Sequence, residues 1–163
     1  MNIEKLVDKA VKTIQEGEGK AYLGHGGEST VYAITRDVVL KIHHKCYYHG
    51  SSQKSAEYEF ELGKELFRQG VQVPQYFGLF SPVQFLYPKL DFFGIFMRRI
   101  HGVKYFSLSF SLRDEAVKQY NEQKKLIEQL GYRVKDSYIN LNTLFDIKNN
   151  KLFLYDLVRW ERK

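Results

Sequence analysis

Residues 21–42 hold three short runs rich in β-branched and aromatic residues, Ala21-Tyr22-Leu23, Thr30-Val31-Tyr32-Ala33-Ile34 and Val38-Val39-Leu40-Lys41-Ile42. Runs of this length and composition are too short for stable helices and fit strands. The breaks between them are Gly24-His25-Gly26-Gly27-Glu28-Ser29 and Thr35-Arg36-Asp37, a glycine-rich turn and a tight turn, so three consecutive antiparallel strands are expected. The third run adds a chemical constraint, because Lys41 lies inside apolar sequence. An ammonium buried alone is costly, so Lys41 should meet a carboxylate or a phosphate, the alternative being a stem that snorkels out at a sheet edge.

The rest of the chain is read by periodicity. Residues 3–14 place Ile3, Leu6, Val7, Ala10, Val11 and Ile14 on one helical stripe, and the opposite face mixes both charge signs, which suits packing on the protein body rather than lipid. After a polar segment at 43–54, helical spacing returns over 55–69, with Gly70 as its stop. On that helix Glu59 shares the face of Leu62 and Leu66, whereas Glu57 and Glu61 point to the side, which makes Glu59 the expected partner of Lys41. Residues 75–80 and 92–97 read as two buried strands. A helix beginning at a capping-box-like Ser111-Leu112-Arg113-Asp114 runs to Gly131, and strands at 143–146 and 152–155 flank the turn 148–151. The expected class is α+β: a five-stranded antiparallel sheet with one helix inserted after the third strand, then a short, mainly helical second part.

Composition sets the outer limits. With 163 residues, 44% hydrophobic and 27% charged, the chain can bury a core and is expected to form a single domain, divided into a helix at 1–18, a first part at 19–102 and a second at 103–163. The single cysteine, Cys46, forms no internal disulfide, so a reducing compartment is expected. No apolar run approaches the ~18 residues of a membrane span, and the first residues lack a signal-peptide core, so no membrane partner is expected. A net charge of +6 favours phosphate-bearing or acidic partners.

Three clusters have a bland and a functional reading. The glycines of 24–27 lead into strand sequence rather than a helix, which fits a hairpin over phosphates and excludes a dinucleotide site at a helix N-terminus. His43, His44, Cys46 and His49 offer soft-metal donors, but four ligands within seven residues would strain one tetrahedral site, so a solvated loop is expected. Arg98-Arg99 and Arg159-Trp160-Glu161-Arg162-Lys163 are basic, yet no nucleic-acid reading module accompanies them, and solvated surface is expected there.

Together, the glycine-rich hairpin ending in Val31-Tyr32, the Val38-Val39-Leu40-Lys41 strand, the helix bearing Glu59 and the stretch Met97-Arg98-Arg99-Ile100-His101-Gly102 resemble the N-lobe and hinge of the protein kinase superfamily. Gln129 to Asp136 resembles the approach to the catalytic loop, with Asp136 in the aspartate position. Asn142-Thr143-Leu144-Phe145-Asp146 is similar to the metal-binding asparagine and its strand, and Tyr155-Asp156-Leu157-Val158 stands where the metal-binding aspartate belongs. The resemblance implies that Mg-ATP binds between two lobes. Lys41 would hold the phosphates, with Glu59 fixing it, and Asn142 and Asp156 would bind Mg²⁺. Asp136 would orient a hydroxyl and accept its proton. Gly24, Gly26, Gly27, Ser29, Val31, Val39, Met97, Arg98 and Ile100 would line the nucleotide, the hinge through its backbone.

The chain departs from that pattern at several points. Ser29 replaces a glycine, Val134 stands where histidine is usual, and the gap from Asp136 to Asn142 is one residue longer than usual, which makes Asn140 a rival ligand. Leu157-Val158 replaces Phe-Gly. The sequence also stops seven residues after Asp156, so an activation segment and substrate platform are not expected. In economy it looks similar to small bacterial effector kinases, which implies a cytoplasmic protein or one delivered into a host cell. The expected function is transfer of the γ-phosphate of ATP to a hydroxyl, on Ser or Thr of a protein substrate. The alternative is a pseudokinase module that binds a partner protein without transfer.

Overall fold

The computed structural model describes residues 2–15, 21–44, 49–81, 93–133 and 138–163. These form an α+β structure with three α-helices and a five-stranded antiparallel sheet, and the chain divides into two compact units. The first comprises residues 1–61 and 75–99, and the second 62–74 and 100–163.

In the first unit the strands β1 (Tyr22–His25), β2 (Ser29–Ala33), β3 (Val38–His43), β4 (Tyr76–Phe80) and β5 (Phe93–Arg98) lie in the order β1-β2-β3-β5-β4. β3 is central and buried along its whole length. Its register sets Leu40 opposite Phe96 and Tyr32, and Lys41 opposite Ile95 and Val31. Side chains of a strand alternate between faces, so Val38, Leu40 and Ile42 point one way and Val39, Lys41 and His43 the other. Against the first face lies α1 (Ile3–Gln15), whose Leu6 and Ala10 join Ile34, Val38, Leu40, Ile42, Phe80 and Phe96 in one apolar core. Each such large side chain taken from water contributes about 1.5–3 kcal/mol, which explains why the stripe of 3–14 packs on the sheet. Gly94 is fixed here by close approach, since a Cβ would stand 2.8 Å from Leu40 Cδ1 and 2.9 Å from the Lys41 carbonyl oxygen.

The helix α2 (Ser52–Arg68) starts three residues before the sequence reading places it. Ser51 acts as its cap, with Oγ accepting from the Lys54 N–H at 3.2 Å, and Ser52 Oγ accepts from the Phe93 N–H of β5 at 3.1 Å. At the other end Gly70 adopts φ +83°, and the Val71 N–H reaches back to the Leu66 carbonyl at 3.0 Å, the expected glycine stop.

The second unit is built on α3 (Phe110–Gln129). Ser109 stands at its cap without a side-chain hydrogen bond, so the capping box expected at Ser111 does not form. The expected hairpin is present as β7 (Thr143–Asp146) and β8 (Lys151–Leu154). Gln119 on α3 holds its edge, accepting from the Leu152 N–H at 2.9 Å and donating to the Asn150 carbonyl at 3.0 Å. A second ladder, β6 (Tyr132–Arg133) with β9 (Glu161–Arg162), incorporates part of the C-terminal basic run, whose two strand residues are exposed. This unit therefore combines one long helix with two short ladders, and is less purely helical than expected.

Candidate functional site

The alternation of β3 turns Lys41 toward α2, and the helical spacing of Glu59 with Leu62 and Leu66 turns the carboxylate toward the sheet. The two meet: Lys41 Nζ donates to Glu59 Oε2 at 2.7 Å and to Oε1 at 3.0 Å, with Glu59 fully buried and Lys41 4% exposed. Glu57 lies at the surface and accepts from Gln53 at 2.8 Å, as its position on the helix implies. Two further groups complete the cluster. The Tyr76 hydroxyl of β4 donates to Glu59 Oε1 at 3.4 Å, and His43 Nε2 lies 3.2 Å from Oε2. Burial alone pushes the Glu59 carboxyl up, but the Lys41 ammonium and the His43 imidazole outweigh it and bring the pKa from 4.5 down to about 2. Glu59 is a buried, permanent anion at neutral pH.

Val31 lies opposite Lys41, and Val39 opposite Met97, so these three apolar side chains share the sheet face of the ion pair. β1 extends to His25, which leaves Gly24 inside the strand at an irregularity of register with φ +152°, a backbone that side-chain-bearing residues rarely adopt. The turn itself is Gly26-Gly27-Glu28, closed by the Gly26 N–H donating to the Ser29 carbonyl at 2.8 Å. Nothing lies within 4 Å of where a Cβ would stand at Gly24, Gly26 or Gly27. Ser29 opens β2 opposite His43. In the hinge stretch the Arg98 N–H donates to the Gln75 carbonyl at 2.8 Å. Ile100 belongs to the second unit.

Within the second unit, the Tyr155 N–H donates to the Asn142 carbonyl at 3.0 Å, which puts Asn142 and Asp156 at the same end of the β7–β8 hairpin. Asp156 has φ 64° and ψ 64°, a left-handed conformation that costs a non-glycine residue of order 1 kcal/mol and clusters at functional positions. The turn before β7 is held by the Leu141 and Asn142 N–H groups, both donating to the Tyr138 carbonyl at 2.9 and 3.3 Å. Asn140 lies within that turn. Leu157, next to Asp156, is fully buried and opens a 3-10 turn. Asp136 and Val134 lie outside the described residues.

Among the described residues, the three histidines of the cluster take separate surroundings. His43 ends β3 and is 1% exposed, His44 Nε2 pairs with the Thr30 hydroxyl at 2.8 Å, and His49 stacks on Tyr58 with ring centroids 4.5 Å apart. Cys46 lies outside the described residues. The solvated-loop reading is thus wrong for His43, and its place two residues beyond Lys41 on an alternating strand is the signal that assigns it to the ion-pair face. Tyr76 carries no such local signal, because only the β4–β5 pairing brings it to Glu59. No protein-family model matches the chain, and no curated protein matches it.

Proposed function

We propose that the chain is a minimal ATP-dependent phosphotransferase that moves the γ-phosphate of Mg-ATP to a hydroxyl, on Ser or Thr of a protein. The observation that carries this reading is the buried Lys41–Glu59 pair on a sheet face that also holds Val31, Val39 and Met97. A buried pair is a poor way to gain stability, since apolar residues of the same volume are often as good or better. Its retention therefore argues for a use of the charge, and a phosphate is the natural target of an ammonium held in place by a carboxylate.

The residues fit the ligands the reading requires. The open glycine turn leaves room for phosphate against backbone N–H groups, and the apolar trio suits a base. Asn142 and Asp156 are hard oxygen donors of the type Mg²⁺ takes, and they would hold it. Bound there, the metal would neutralise charge on the phosphates. Lys41 binds and orients the phosphates, Glu59 keeps Lys41 aimed, and Asp136 accepts the proton of the attacking hydroxyl. Such a site accelerates by placement and electrostatics more than by covalent chemistry.

A second reading, a pseudokinase module that binds a partner protein, is favoured by the committed Arg98 N–H and by the buried Leu157 where a mobile glycine-containing pair would serve switching. Mg-dependent ATP hydrolysis and autophosphorylation of the wild type, Lys41→Met and Asp136→Ala separate the two. Activity lost in both variants upholds transfer. Nucleotide binding without turnover in the wild type selects the module, and no nucleotide binding at all ends both.

A further inference from the structure

The two oxygens of Glu59 are served unequally. Lys41 spans both, while Oε1 has the Tyr76 hydroxyl and Oε2 has His43 as its only further neighbour among the described contacts. His43 is 1% exposed, yet its Nε2 lies off the line of a hydrogen bond and neither ring nitrogen has a hydrogen-bond partner. Buried polar atoms are paired in the great majority of cases, so an imidazole kept in this state requires a reason.

The charges supply one. With a neutral imidazole, the ammonium and carboxylate of the cluster cancel. A polyphosphate that draws the charge of Lys41 toward itself leaves a buried carboxylate under-compensated, and an interior of low dielectric makes that costly. An imidazolium 3.2 Å from Oε2 restores the balance and turns the contact into a charge-assisted hydrogen bond.

We propose that His43 is a positioning residue that takes up a proton when a polyphosphate engages Lys41, and thereby holds Glu59 while the ammonium serves the ligand. The inference rests on the nucleotide reading and adds a proton to it. The proton comes from solvent and goes to the ring nitrogen that is bare in the neutral imidazole; no other bond changes. Around His43, among the described residues, stand Lys41 on its own strand, Glu59 on α2, Ser29 opposite on β2 and Phe93 opposite on β5, and the Tyr76 hydroxyl of β4 reaches the other oxygen of Glu59. The neighbouring His44 is held below its ordinary range chiefly by burial. By linkage, affinity for the polyanion then falls with rising pH wherever binding takes up this proton.

The experiment is calorimetric titration of the full chain with Mg-ATP in two buffers of different ionisation heat, for the wild type, His43→Asn and His44→Asn. The expected result is net uptake of up to about one proton per nucleotide in the wild type and in His44→Asn, lost in His43→Asn, with affinity falling up to about tenfold per pH unit only where His43 is present. Should His43→Asn fail to fold, ¹⁵N shifts of the His43 ring in the wild type decide: Mg-ATP should move them toward the imidazolium pattern at constant pH. Binding by the wild type with unchanged ring shifts, or with the same proton uptake in His43→Asn, overturns the role of His43 alone. A wild type that does not bind Mg-ATP overturns the nucleotide reading and this inference with it.

Discussion

Replacing Lys41 by Met isolates the energetics of the ion pair from any question of activity. The substitution keeps an unbranched side chain on β3 but strands a carboxylate that is fully buried. Removing one partner of a buried pair costs about 3–5 kcal/mol, because the remaining charge is uncompensated. The net fall of the Glu59 pKa from 4.5 to about 2, to which Lys41 and His43 both contribute against burial, is of the same order, about 3 kcal/mol of stability at neutral pH. Since the folded value lies below the unfolded one, that contribution is fully present above about pH 4.5 and disappears as pH falls through about 2. Lys41→Met should behave in the opposite sense, because without the ammonium burial favours the protonated acid, and the deficit against wild type should shrink on acidification. Urea unfolding followed by far-UV circular dichroism measures this. With a slope of about 2 kcal/mol per molar urea, the midpoint at neutral pH should drop by roughly 1.5–2.5 M. The double variant Lys41→Met/Glu59→Leu should recover most of the loss, since an apolar replacement of the whole pair is often neutral or stabilising. A single-variant cost below about 1 kcal/mol, or a double variant whose loss is the simple sum of the two singles, would refute the claim that this pair is buried and coupled.

Two glycines of the sheet should respond differently to a methyl group. Gly94→Ala meets the Leu40 side chain and, at 2.9 Å, the Lys41 backbone carbonyl, which cannot yield, so a loss of about 1–3 kcal/mol is expected in the same urea assay. Gly78→Ala meets only the flexible end of Ile3 at 2.8 Å and should cost less than about 1 kcal/mol; equal losses at the two sites would contradict the packing described. At Asp156 stability and function should part: Asp156→Gly relieves a left-handed backbone and should raise the unfolding free energy by a few tenths to about 1 kcal/mol, while Mg-dependent ATP turnover is lost. A destabilised Asp156→Gly would show that the side chain serves the fold rather than a ligand.

What the sequence makes legible here depends on how local the determining physics is. The five strands along the chain and the choice of Glu59 both follow from periodicity, because a lysine in an apolar run must find a carboxylate and only one glutamate of the helix shares its buried face. The start of α2 is not legible in that way, since the capping Ser51 stands in a stretch of serine and glycine that also reads as loop. Two-residue strands such as β6 and β9 have no period at all, and their pairing is set by the tertiary structure alone. The left-handed Asp156 escapes for a related reason: no glycine or asparagine announces the conformation. His43 could have been assigned from the strand alternation, but its histidine neighbours draw attention to metal chemistry instead.

The polar cluster owes its geometry to the dry face behind it. Because a strand alternates with period two, slipping β3 by one residue against its neighbours would exchange the faces, sending Lys41 and His43 into the core with Leu6, Ala10, Phe80 and Phe96. That exchange would bury two polar groups in apolar surroundings and set Leu40 and Ile42 against the Glu59 carboxylate, so the apolar face fixes the register far more strongly than the ion pair itself could. Lys41 is therefore placed by residues it does not touch, chiefly the α1 stripe and its partners on the opposite side of the sheet. The same logic explains how the cluster can carry an unsatisfied imidazole and a buried carboxylate: the stability they cost is offset on the other face of the sheet.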